Sequence, residues 1–313
     1  MSDTTTARRV DKLSSASLNR IVEPERDLPG GVGDAQLIAD ELLLSVAGLE
    51  PGGLSRDQMV TLSREVIAAI ARGGIAFEAV LMAGFSLQIA RTGDYTDPRI
   101  TYLLHEMGEE TRHSRLFVRM LDQIGATARN PLDNWFGRHV ADLVIGRIVI
   151  HPALLYTMVL AGEEIPDLLQ KRAAEHPGTD PFVREVNRYH RQEEARHLAF
   201  ARMVLPEVWE RASVVDRRLV LYVAPLFIRE MYENLVHAGV YEVVGLPGMA
   251  TWRAARRHPE RVATRREATR PVLASLVEAG AIEPGRVPVP WRGLCGVDAA
   301  GHPVTSDRSR AIR

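Results

Sequence analysis

"LLHEMGEETRHSRLF" (residues 103–117) sets two carboxylates and an imidazole among residues that belong in a core. Leu103, Leu104, Met107, Leu116 and Phe117 are apolar, yet Glu106, Glu110 and His113 fall on one side of the same helix, at spacings of four and three. A bare buried carboxylate is costly, so this face needs positive partners. "NRYHRQEEARHLAF" (residues 187–200) poses the same problem again.

The two helices also begin alike. "TDPRI" supplies Asp97 as N-cap with Pro98 at the first helical position, and "TDPFV" supplies Asp180 and Pro181 in the same roles. From proline to the glutamate of the Glu-x-x-His pair is 12 residues in the first helix and 13 in the second. The chain reads as two related helical halves.

Residues three apart share a helix face, so Glu110 with His113, and Glu194 with His197, can each converge on one point. Carboxylate plus imidazole suits iron, manganese or zinc. Dimetal carboxylate bundles need one further glutamate from each of two other helices. Glu78 is the one acid in "AIARGGIAFEAVLMAGFSLQIA" (69–90), 32 residues before Glu110. Glu163 lies 31 residues before Glu194 in "YTMVLAGEEIPDLLQ" (156–170), which favours it over Glu164, although Pro166 can distort that helix. Either Glu-x-x-His pair alone reads as a solvated helix face. Four features in matched order read as a dimetal site.

His190, four residues before Glu194, occupies the position that Glu106 holds before Glu110. It reads as a third ligand from its helix or as a core histidine; as a ligand it brings the set to four carboxylates and three histidines. Glu109 and Glu193 each precede a ligand, where a carboxylate can hydrogen-bond a histidine of the opposite pair, held by Arg112 and Arg196. Surface ion pairs are the alternative for these four.

The order Glu78, Glu110-x-x-His113, Glu163, His190-x-x-x-Glu194-x-x-His197 resembles the p-aminobenzoate N-oxygenase family of diiron enzymes. The similarity covers most of residues 35–240, with "HEMGEETRHSRLF" and "HRQEEARHLAF" its most specific parts. It implies an all-α, ferritin-like four-helix bundle with additional helices, usually a homodimer, and two iron ions on seven side chains. It also implies dioxygen as co-substrate, an external electron donor, and oxidation of a small aromatic amine to hydroxylamine, nitroso or nitro product in natural-product biosynthesis. Carbon hydroxylation on the same scaffold, or iron handling without turnover, would use the same ligands. A carboxylate-bearing amine would want a cationic anchor, for which Arg72, two turns before Glu78, is a candidate.

Elsewhere the sequence sets broad bounds. With 25% charged residues and a net charge of −1, nothing favours nucleic acid or an anionic membrane. Cys295 stands alone, so an intrachain disulfide is impossible and a reducing cytoplasm is expected. The N-terminus lacks the apolar segment of a secretory signal. "IVIHPALLYTMVLAG" (148–162), interrupted by His151 and Pro152, falls short of a membrane span, and a soluble protein is expected. Helical spacing predicts helices over 35–48, 55–92, 98–125, 137–175 with a break at His151–Pro152, 181–211, 216–238 and 258–280. Residues 1–33 are expected to form a flexible arm, 34–283 the helical domain and 284–313 an irregular tail.

Overall fold

The computed structural model describes residues 2–19, 21–49 and 52–304. Among them every regular element is a helix, apart from one isolated antiparallel bridge between Val297 and Pro303. Helices α1 (Ser2–Asn19) and α2 (Pro24–Asp27) precede the long helices α3 (Arg56–Arg91) and α4 (Pro98–Ile124). Then come α5 (Trp135–Ile150), α6 (Pro152–Glu175) and α7 (Pro181–Glu210). Shorter helices follow: α8 (Val214–Arg218), α9 (Ala224–Asn234), α10 (Ala238–Val243) and α11 (Gly248–Ala255), then α12 (Pro259–Glu278) and α13 (Val289–Cys295).

Local chemistry explains the long helices. Ser55 and Gln58 form a capping box at the start of α3. Asp97 accepts the Arg99 N–H at 2.9 Å, and Asp180 accepts those of Phe182 and Val183 at 2.9 and 3.1 Å. Gly125 ends α4 in the left-handed region, φ 62°. At His151–Pro152 the chain turns by 110°, which separates α5 from α6.

Helices α3 and α4 pack as one pair and α6 and α7 as another; α3 meets α6 and α4 meets α7 to complete a four-helix bundle. The bundle holds two apolar clusters. One takes Leu81 and Phe85 from α3, Leu103 from α4 and Leu198 from α7, and the other takes Ala71, Leu116 and Tyr189 from the same three helices. The acids and histidines singled out above fall between these clusters, as a polar layer across the bundle. Close approach of α3 to α6 depends on Gly162, where a Cβ would lie 1.8 Å from the Phe77 ring, next to both Glu78 and Glu163. Helix α6 runs through Pro166 unbroken.

Several expectations need correction. Residues 35–48 form only a 3₁₀ turn at Asp40–Leu42: Leu37 and Ile38 are buried in an irregular, bent segment whose N–H groups both donate to Ser63 Oγ at 3.0 Å. The supposed arm contains α1, which packs on α4 and α7 through Val10, Ser14 and Ser17. Two of those three contacts are small and polar, so the hydrophobic pattern hid the buried face. The stretch 216–238 is divided by a π-helical segment, Leu219–Val223, just before Pro225, whose missing N–H breaks the regular ladder. Nor is the tail irregular from residue 284: α13 buries Trp291 completely, and its indole N–H donates to the Val220 carbonyl at 3.1 Å. Residues 305–313 of that tail lie outside the described residues.

Helix α3 is long and apolar enough to cross a bilayer by length and composition, as is the α5–α6 pair if the bend is ignored. In the fold, α3 carries the buried acids Glu65 and Glu78 and packs along α4.

Candidate metal centre

Glu78 comes from α3, Glu110 and His113 from α4, Glu163 from α6, and His190, Glu194 and His197 from α7; each is at most 5% exposed. All seven meet in the polar layer. Glu110 and Glu194 each span the two inner imidazoles. Glu194 places one oxygen 3.1 Å from His113 Nδ1 and the other 2.7 Å from His197 Nδ1. Glu110 lies 3.3 Å from each of the same two nitrogens, again through different oxygens. A carboxylate with one oxygen on each side is the arrangement of a bridge between two cations.

The remaining side chains divide between the two sides. His190 Nε2 lies 3.7 Å from Glu78 and 3.5 Å from Glu194, and Glu78, His113 and His190 offer donor atoms within 4.8 Å of one another. Glu163 faces Glu194 and Glu110, whereas Glu164 pairs with Arg202. Of these two neighbours, Glu163 is the one turned into the layer.

Outer hydrogen bonds orient the imidazoles. His113 Nε2 is 2.9 Å from Glu193 and His197 Nε2 is 2.8 Å from Glu109, so each pair's histidine is held by the other pair's helix. Arg196 donates to Glu109 at 2.7 Å, and Arg112 lies 3.8 Å from Glu193. Both acids are almost fully buried, which excludes the surface ion pairs considered from sequence. With Nε2 turned to an outer carboxylate in this way, Nδ1 faces Glu110 and Glu194 on both inner histidines. His190 is turned the other way: Nδ1 meets Gln170 at 3.1 Å and leaves Nε2 facing the centre.

Arg72 does not enter the layer. It is exposed and donates to the carbonyls of Ala128 (2.9 Å) and Ala126 (3.2 Å), securing the loop after α4. Two participants had gone unread: Gln170, and Ser114, whose hydroxyl donates to Glu78. Gln170 lies two helical turns beyond Glu163 on the same face, a spacing that could have flagged it.

The electrostatics mark the layer as short of positive charge. Burial raises the Glu163 carboxyl well above its ordinary range, and Glu194 and Glu110 push it the same way. Burial also lifts Glu106 to about 8. Burial opposes ionisation of Glu109, but the hydrogen bond and charge of His197, together with Arg196, prevail and hold it at about 2. For His113 and His197, burial disfavours the protonated form and the surrounding carboxylates outweigh it, raising both. Both oxygens of Glu106 remain buried without a hydrogen-bond partner among the described residues, and those of Glu110 and Glu194 meet only the two inner imidazoles. A crowd of buried carboxylates around imidazoles held from outside fits divalent cations, which would take the place of the imidazole protons.

Fold and layer together define a carboxylate–histidine helical bundle of the ferritin-like, dimetal kind. Residues 52–280 match the family model of p-aminobenzoate N-oxygenase AurF, and the chain belongs to that family of diiron oxygenases. It is also similar to uncharacterized proteins of Mycobacterium tuberculosis (strain H37Rv) and Mycobacterium bovis, each 29% identical over 190 residues, 58% of this chain and 53% of theirs. The chain thus spans about half the length of the curated relatives it matches.

Proposed function

We propose that this protein is an N-oxygenase that converts a small aromatic amine, of the p-aminobenzoate type, to its hydroxylamine and on to nitroso or nitro products. The observation that carries the reading is the pair of carboxylates, Glu110 and Glu194, each reaching both inner imidazoles, where they would hold two metal ions between them. Glu78, His113 and His190 would hold one iron and Glu163 and His197 the other. The irons supply electrons to dioxygen when bound. For the first step, amine, dioxygen, two electrons and two protons give hydroxylamine and water, so an external electron donor is required. Glu109 and Glu193 keep the inner histidines in the ligating tautomer, and the flanking apolar clusters limit water in the layer. The family supports the nitrogen target, and natural-product biosynthesis is the setting it implies.

A cavity of about 390 Å³ lies beside the bundle, lined by Leu103, Tyr156 and Val204 and bordered by Arg91, Arg99 and Arg211. Arg99 and Arg211 are both tied to Glu207, whereas Arg91 makes no ion pair among the described residues. None of the seven ligands lines this cavity, so neither Arg91 nor Arg72 is assigned as anchor for a substrate carboxylate. We assign a second copy of the chain as partner, on α5, where Trp135, Phe136 and Leu143 are each more than half exposed. Sedimentation should find a dimer that Leu143→Asp dissociates; a monomeric wild type would remove this part.

The deciding experiment loads the protein with ferrous iron, adds reductant and oxygen, and offers a panel of arylamines. N-oxygenated product by mass spectrometry, in excess of protein, is expected. Stoichiometric iron uptake with no product would favour iron handling, and hydroxylation at carbon would move the reading to the alternative oxygenase.

A further inference from the structure

We infer that Glu106 is itself a metal ligand, an eighth protein side chain at the centre; the inference rests on the dimetal reading above. Three independent observations point to it. Glu106 is 1% exposed and neither of its carboxylate oxygens has a hydrogen-bond partner among the described residues. One of its oxygens, one of Glu110 and a nitrogen of His197 lie within 4.8 Å of one another, the spacing of a shared cation. Finally, it sits four residues before Glu110, as His190 sits four before Glu194.

The last point gives the arrangement its logic. The two helix halves are related, and each brings a donor from one turn upstream. His190 delivers it to the side of Glu78 and His113, and Glu106 delivers it to the side of His197. The two cation positions are therefore unlike. One has two imidazoles, His113 and His190. The other has one, His197, with Glu106 and Glu163 beside the bridging carboxylates. Oxygen-rich surroundings favour the harder divalent cations and nitrogen-rich ones those later in the first-row series.

Cobalt(II), added anaerobically to wild type, Glu106→Gln, Glu106→Ala and the control Glu164→Gln, tests this by equilibrium dialysis and by visible absorption, which reports coordination at each cobalt. Wild type and Glu164→Gln should take two cobalt ions per chain. Glu106→Gln should bind the first like wild type and the second at least about tenfold more weakly, with the band of that ion changed. Its metal-free form should melt no lower than wild type, because an unpartnered buried carboxylate has been removed. Cobalt-loaded wild type, crystallised, gives a measure independent of variant folding: a Glu106 oxygen bonded to cobalt is expected. An unbonded Glu106, or a second cobalt bound by Glu106→Gln with wild-type affinity and spectrum, overturns the assignment and leaves the dimetal centre standing. Fewer than two cobalt ions in wild type overturns the dimetal reading and this assignment with it.

Discussion

Glu233 and Glu194 are both carboxylates with almost no exposed surface, and the molecule treats them in opposite ways. Glu233, on α9, accepts from Arg265 and lies 3.3 Å from Arg261, both on α12; Arg261 also donates to the Glu233 carbonyl at 2.8 Å. One carboxylate thus meets two guanidiniums, all three buried, and the charge is met within the chain. Glu194 sits with Glu78, Glu106, Glu110 and Glu163 around three imidazoles, while Arg112 and Arg196 stand one layer out, on Glu109 and Glu193. An arginine among the inner acids would have paired with one or two of them and taken the space a cation needs. The first region locks α9 to α12. The second is left short of positive charge, and divalent cations can supply it.

That contrast makes opposite predictions for removing an acid. Glu194→Ala takes away a carboxylate that spans both imidazoles, so iron retained after anaerobic loading and desalting should fall from a pair to one or none. Product formation should drop below about 1% of wild type. The metal-free variant should melt at or above the wild-type temperature, because the layer already has too many acids. A variant that retains both irons would break the comparison at its first term.

Glu233→Gln should behave in the reverse sense. It leaves Arg261 and Arg265 buried without their anion, a loss of about 3–5 kcal/mol for one partner of a buried pair. Denaturant unfolding of the metal-free protein measures it, and the loss should be the same with iron present. If adding iron restores the stability, the two regions are not independent.

A smaller effect is expected one layer out. Arg196→Met frees Glu109 from its 2.7 Å partner and loosens the carboxylate that orients His197. Metal affinity should fall about 10–100-fold, as for outer hydrogen-bond partners of metal ligands, with the fold retained. Unchanged affinity in a cobalt titration would reduce Glu109 to a packing role.

The smallest effect belongs to His237, a buried base that forms no ion pair among the described residues and whose Nδ1 has no partner there. Burial lowers its affinity for a proton, and the charge of Arg72 adds to this. The unfolded chain takes up a proton near pH 6.5 and the folded one only at lower pH, so in that window the unfolded state binds more protons and stability falls as pH falls. His237→Gln should flatten this slope in thermal melts between pH 7 and about pH 5. An identical slope would assign the acid sensitivity to other groups.

Helix starts were legible wherever a local rule suffices: Asp97–Pro98 and Asp180–Pro181 begin α4 and α7 in the structure. Residues 35–48 misled because their helical spacing competes with burial of a bent segment against Ser63, a partner 25 residues away. Trp291 sat in a stretch rich in Pro and Gly, and only the groove between α9, α12 and the π-helical segment shows why it is buried. Arg72 shows the limit of spacing arguments: two turns before Glu78 is near along the helix, but its side chain leaves for the loop after α4.

By itself the sequence determined that acids and histidines recur in matched order on four helices, because helical periodicity sets which residues share a face. It could also mark Glu109 and Glu193 as neighbours of the inner set. Tertiary structure alone decided that Glu163 enters the layer and Glu164 pairs with Arg202, since residues one apart point about 100° from each other and only packing selects the inward one. It alone decided which imidazole nitrogen faces the inner acids, and it left Glu106 buried without a hydrogen-bond partner among the described residues. Such outcomes depend on side chains from different helices meeting across the bundle, and no spacing along one helix encodes that meeting.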